Sequence, residues 1–121
     1  MKVVKADDLK EFPLFDGVLG RIVFSSDNVM FLLARILPRG KVPEHSHPHE
    51  QMGVCLKGKA ELRSDGEKKV VDEGTFYWIE PGEKHSVVSL TDEPSLFLDV
   101  FNPPRQDYIK MARKHKVASN E

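Results

Sequence analysis

The sequence predicts an all-β fold, an antiparallel sandwich or barrel finished by a short C-terminal helix. Short extended runs, broken by Gly, Pro and Asp, recur along nearly the whole chain. The breaks carry turn chemistry, as in Asp65-Gly66, Asp72-Glu73-Gly74 and Pro81-Gly82. Helical character is confined to about 105–114, after Pro103-Pro104, where Tyr108, Ile109 and Ala112 form an apolar stripe.

In chain order, the expected strands are 18–24, 30–37, 51–57, 59–64, 69–72, 75–79, 85–90 and 96–101. Ser25-Ser26-Asp27-Asn28 separates the first pair, Pro38-Arg39-Gly40 ends the second run, and Lys57-Gly58 divides the third from the fourth. Asp65-Gly66 suits a tight hairpin between the fourth and fifth. Eight strands at this spacing argue for a closed double-sheet architecture. Two of them are apolar on both faces. In 96–101 one face carries Phe97, Asp99 and Phe101, and the other Leu96, Leu98 and Val100. A wall of this kind needs a cover outside it, and a homodimer packed sheet on sheet is the simplest one.

The 121 residues suffice for one domain spanning 1–121. With 18 basic against 19 acidic residues, the formal charge is −1, and the chain lacks the basic field that nucleic acid requires. The basic stretch 110–116 reads as a solvated surface. No apolar run reaches the ~20 residues of a membrane span. The start, Met1-Lys2-Val3-Val4-Lys5, is too polar for a signal peptide, and the single Cys55 suits a reducing cytoplasm. Cys55 lies mid-strand and reads as a small buried side chain rather than a nucleophile.

The segment His45-Ser46-His47-Pro48-His49-Glu50-Gln51 is the strongest chemical signal, holding three of the five histidines. Imidazole is the commonest metal ligand, and alternate residues of an extended segment face one way. His45 and His47 can therefore share an ion, and a third histidine from a distant strand, His85, closes the site. Gln51 opens the next strand and completes a neutral ligand set, which leaves an ion its full +2 charge. Glu50 is the rival ligand, but strand alternation turns it away if Gln51 faces in. A nitrogen-rich site suits a divalent transition metal such as Zn, Ni, Fe, Cu or Mn without choosing among them.

These residues resemble the two motifs of the cupin superfamily. The first is matched by Gly40, His45, His47, Gln51 and Gly58, and the second by Gly74, Pro81-Gly82 and His85, covering about residues 40–89. Gly40 lies one residue nearer the histidines than usual, Glu80 replaces the first motif proline, and Gln51 stands where many cupins have Glu. The resemblance implies a double-stranded β-helix, or jelly-roll barrel, around a metal. It gives His49 no role.

Asp99 is the lone acid of an apolar strand. Facing inward it must be paired, ligating or catalytic, and burial suits it to acid–base work. Arg105, after the stiff Pro103-Pro104, can return over the barrel mouth to clamp a carboxylate or to pair with Asp99. With His-Ser-His-Pro-His-Glu-Gln, the segment 99–108 is similar to the small cupins of uronate catabolism, the KdgF type. That resemblance implies ring opening of 4,5-unsaturated uronates, a metal on His45, His47, Gln51 and His85, and catalytic roles for Asp99 and Arg105. Its partner would be a small anionic sugar acid. A cupin dioxygenase and a non-enzymatic anion-binding cupin are the alternatives. Trp78 reads as core or dimer interface, with sugar stacking as the rival. Arg35 reads as an anion contact or interface pair, and Tyr108 as packing for the helix.

Overall fold

The computed structural model describes the backbone of residues 1–120 and the side chains of residues 1–116. Ten strands follow a short 3₁₀ turn: β1 (Phe12–Phe15), β2 (Val18–Ser25), β3 (Met30–Ile36), β4 (Lys41–His45), β5 (Glu50–Lys57), β6 (Lys59–Ser64), β7 (Glu67–Asp72), β8 (Phe76–Ile79), β9 (His85–Ser89) and β10 (Ser95–Asn102). Helix α1 (Gln106–Asn120) ends the chain. All pairings are antiparallel, in a six-stranded sheet of order β1-β2-β3-β10-β5-β8 and a four-stranded sheet of order β4-β9-β6-β7. The two sheets face each other as a jelly roll.

All eight expected strands form, with ends moved by at most two residues. β1 and β4 were not expected. Each contains a proline, Pro13 or Pro43, which removes a ladder donor and masks a strand in sequence. Both lie at a sheet edge, where the lost donor costs no pairing. The β6–β7 hairpin turns at Asp65 (φ 50°) and Gly66 (φ 79°), the double positive φ that Asp-Gly supplies.

Alternation decides which side chains meet between the sheets. In β10, Ser95, Phe97, Asp99 and Phe101 are buried while Leu96, Leu98 and Val100 face outward. In β3, Met30, Leu32, Ala34 and Ile36 point in, whereas Phe31 and Arg35 point out. Cys55 is free and buried among them. The core gathers Phe12, Leu14, Val18, Leu32, Ile36 and Phe97, and the buried polar residues His47, Gln51, His85, Asp99 and Arg105 lie among the same inward faces. Trp78 is not core: it points outward from β8 with 58% of its surface exposed. Arg35 also faces out, in a two-pronged pair with Glu11 at 2.7 and 2.8 Å. Among the described residues no helix is long and apolar enough to cross a membrane.

Candidate metal centre and its acidic neighbour

His45 closes β4 directly across from His85, which opens β9. His47 lies in the turn beyond β4 rather than on the strand itself, yet its ring returns to within 5.0 Å of the His85 ring and 5.5 Å of the His45 ring, centroid to centroid. The ligating nitrogens of these three histidines lie within 4.8 Å of one another. Gln51, second residue of β5, is buried and reaches the same point, its Oε1 3.1 Å from His47 Nε2. Glu50 is not part of the cluster.

Hydrogen bonding fixes which atoms face inward. Each histidine Nδ1 meets a backbone carbonyl: His45 that of Pro43 at 2.8 Å, His47 that of His49 at 3.0 Å, and His85 that of Glu83 at 2.8 Å. A carbonyl only accepts, so each Nδ1 carries the hydrogen, and in the neutral form of a histidine that binds metal this leaves the Nε2 lone pair turned to the centre. Gln51 is oriented the same way. Its Nε2 donates to Asp99 Oδ1 at 3.0 Å, which leaves Oε1 facing the histidines. His47 Nε2 and Gln51 Oε1 are then two acceptors in contact with no proton between them. Four converging lone pairs fit a cation, and backbone carbonyls holding the outer nitrogens are the usual support for histidine ligands. The donor set fits a divalent transition metal on His45, His47, Gln51 and His85.

A model of the cupin domain matches residues 32–101. The chain belongs to the cupin family. Among similar proteins, the pectin degradation protein KdgF of Dickeya dadantii (strain 3937) is 32% identical over 97 residues, covering 79% of this cupin and 87% of that protein. H2HPP isomerase of Bacillus subtilis is 33% identical over 88 residues, 72% of this cupin but only 37% of that longer protein. The structure of KdgF from Halomonas sp. superimposes with a TM-score of 0.83, covering 89% of this chain and 98% of that one at 23% identity.

Asp99 of this cupin sits behind Gln51, deep in the barrel. Burial pushes its carboxyl up, against the hydrogen bonds of Tyr77 and Gln51 and the charge of Arg105, which pull it down. Both donors engage the same oxygen, Oδ1: Gln51 Nε2 at 3.0 Å and Tyr77 Oη at 2.5 Å. Asp99 lines an interior cavity of about 50 Å³ together with His45, Gln51, Tyr77 and His85. Leu62, Tyr77, Ile79 and His85 also line a cleft of about 480 Å³ bordered by β7 and β8, so the cleft and the cavity adjoin.

Arg105 is buried, and the Asp99–Arg105 pair, the alternative to a carboxylate clamp, is not formed. Its Nε and Nη2 donate to Asp107 at 3.0 and 2.8 Å, and the guanidinium lies 3.9 Å over the Tyr108 ring. Its Nη1 is buried without a hydrogen-bond acceptor, as is Nδ1 of His49, whose ring stands edge-on to His47 at 5.5 Å. Sequence reasoning missed Tyr77. The signal was available: alternation in β8 sends Tyr77 and Ile79 inward and Phe76 and Trp78 outward.

Burial and the charges of Arg105 and His85 push His47 down to about 4, and burial lowers His85 and His49 as well. Between pH 6.5 and about 4 the unfolded chain therefore takes up a proton at His47 that the folded chain refuses. Stability of the metal-free protein falls as pH drops through that window, by on the order of 3 kcal/mol from His47 alone. Thermal unfolding followed by circular dichroism at pH 7 and pH 4.5 should show the lower midpoint at pH 4.5. Equal midpoints would remove the buried neutral histidine from the stability account.

Proposed function

We propose that this cupin is a metal-dependent isomerase that opens the ring of a small acidic sugar, specifically a 4,5-unsaturated uronate. The observation that carries the reading is a buried carboxyl group, Asp99, on the same cavity as His45, Gln51 and His85, three of the four converging donors. The similarity to a pectin degradation protein and to an isomerase supports the reaction class. The cleft of about 480 Å³ has the volume of a small-molecule site.

A divalent transition metal held by His45, His47, Gln51 and His85 would supply Lewis acidity at the substrate oxygens, undiminished by any anionic ligand. The substrate is a cyclic enol ether with a hemiacetal hydroxyl. Asp99 takes the proton of that hydroxyl as the bond between the anomeric carbon and the ring oxygen breaks, leaving an aldehyde and an enolate. It then returns the proton to the enolate carbon, giving the ketone. One proton leaves oxygen and one arrives at carbon, so the step is an isomerisation that needs no co-reactant. Arg105 holds the substrate carboxylate, for which its buried Nη1 is free.

Elemental analysis of the purified protein, followed by assay with unsaturated monouronates under nitrogen and in air, tests the reading. Stoichiometric metal and oxygen-independent turnover are expected. Oxygen uptake would replace it with a dioxygenase, binding without turnover would replace it with a non-enzymatic cupin, and absence of metal under every condition would end all three.

A second copy of the chain is the cover proposed for the outer face of β10, β5 and β8, where Met52, Phe76 and Trp78 stand exposed beside Leu98 and Val100 around a groove of about 510 Å³. Sedimentation should show a dimer, reduced to monomer by Trp78→Glu combined with Phe76→Glu; a monomeric wild type would remove the proposal. A buried unpaired Cys55 suits the reducing cytoplasm in which such a catabolic enzyme would work.

A further inference from the structure

We infer that Tyr77 is a positioning residue for Asp99, and that glycine at position 53 is what allows it to act. The inference rests on the acid–base role proposed for Asp99. Tyr77 pairs across the ladder with Gly53, and Gly53 pairs with Asp99. The three residues form one row across β8, β5 and β10. Tyr77 and Asp99 both turn into the barrel from strands that are not neighbours. Any side chain between them would keep them apart.

Gly53 leaves that gap open. A Cβ built on it would overlap Tyr77 Cζ and Oη and would press on Asp99 Oδ1, closer in each case than real Cβ contacts come. The glycine has no positive φ. Space, rather than backbone conformation, therefore requires it. Through the gap the phenol hydroxyl crosses β5 and donates to Asp99 Oδ1.

The consequence is an unequal carboxylate. Oδ1 accepts from two donors, Tyr77 Oη and Gln51 Nε2, while no donor among the described residues engages Oδ2. Two hydrogen bonds fix the carboxylate plane and make Oδ1 the less basic oxygen. The proton that Asp99 moves is thereby assigned to Oδ2. A phenyl ring at 77 would pack equally well but would leave the carboxylate held by Gln51 alone. Packing alone therefore predicts no effect of Tyr77→Phe on turnover.

The test compares Tyr77→Phe, Gly53→Ala and the double variant with the wild type. Tyr77→Phe should lower kcat roughly tenfold to a hundredfold, with KM within about twofold and metal content unchanged. Gly53→Ala should do the same, and the double variant should be no worse than either single one, because both remove one contact. A proton spectrum of the metal-free protein supplies a readout independent of turnover. A hydroxyl proton protected from exchange by the Tyr77–Asp99 hydrogen bond should be present in the wild type and absent from both single variants. An unchanged kcat in Tyr77→Phe, losses that multiply in the double variant, or no such resonance in the wild type would overturn the inference. If the wild type turns over no unsaturated monouronate, the proposed reaction fails, and the hydroxyl resonance alone then decides whether Tyr77 holds Asp99.

Discussion

Replacing Asp99 with asparagine should lower turnover by about 10²- to 10⁴-fold while leaving metal content intact. The two halves of this expectation have separate causes. Asparagine cannot carry a proton, so the proposed transfer from hemiacetal oxygen to carbon would lose its shuttle. Its carbonyl oxygen can still accept from Gln51 Nε2 and Tyr77 Oη, so Gln51 keeps its Oε1 aimed at the histidines. Asp99→Ala differs. It strips both buried donors of their acceptor, at about 1–3 kcal/mol for each group left unsatisfied. It also frees the Gln51 amide to rotate, and metal affinity should drop by about 10- to 100-fold, the usual cost of losing a group that orients a ligand. Metal analysis of the two variants after dialysis separates the roles. Full turnover in Asp99→Asn would remove Asp99 from the chemistry, and equal metal content in both variants would remove it from ligand orientation.

The inward face of β10 was legible because alternation is a local rule. Phe97, Asp99 and Phe101 share a face by period alone, and the structure buries all three. The histidine cluster was legible because two of its members are two residues apart and the third follows a Pro-Gly turn. Partners reached across the sheets were not. Sequence spacing offered Asp99 as a mate for Arg105, but the carboxylate two residues on, Asp107, takes the fork at the start of α1. Tyr77 stayed hidden because its partner lies two strands away, and the clue, a glycine in register between them, exists only once the register is known. Trp78 shows the limit of composition. A large aromatic suggests a core or an interface, and the core half of that reading fails because Tyr77 and Ile79 claim the inward positions of β8, which sends Trp78 out. The prolines that hid β1 and β4 belong to the same class, since their effect depends on whether the strand lies at an edge.

Gln51 is the position at which this cupin departs from the carboxylate common in its family's motif, and Gln51→Glu should show why. The amide does two things that a carboxylate cannot. It presents a neutral oxygen to the histidine cluster, and it donates a hydrogen bond backward to Asp99. Glutamate would place an oxygen where Gln51 Nε2 now stands, 3.0 Å from Asp99 Oδ1. Two carboxylates at that distance cannot both ionise without a large cost, so one keeps a proton. A cation beside the introduced carboxylate would favour its ionised form, which leaves Asp99 as the proton holder and deprives it of its role as a base. The added negative ligand would also lower the charge that the metal presents to substrate oxygens. Metal retention should therefore be equal or greater, while turnover falls by about a hundredfold. Calorimetric titration with zinc and steady-state assay of the same preparation measure both quantities. A variant that binds metal more tightly and turns over at the wild-type rate would show that neither the neutral donor set nor the Gln51–Asp99 hydrogen bond is needed for the reaction. A loss of both metal and turnover would instead place the fault in Gln51 as a ligand. Tighter metal with lost turnover is the outcome that follows when one side chain serves both the ion and the acid behind it.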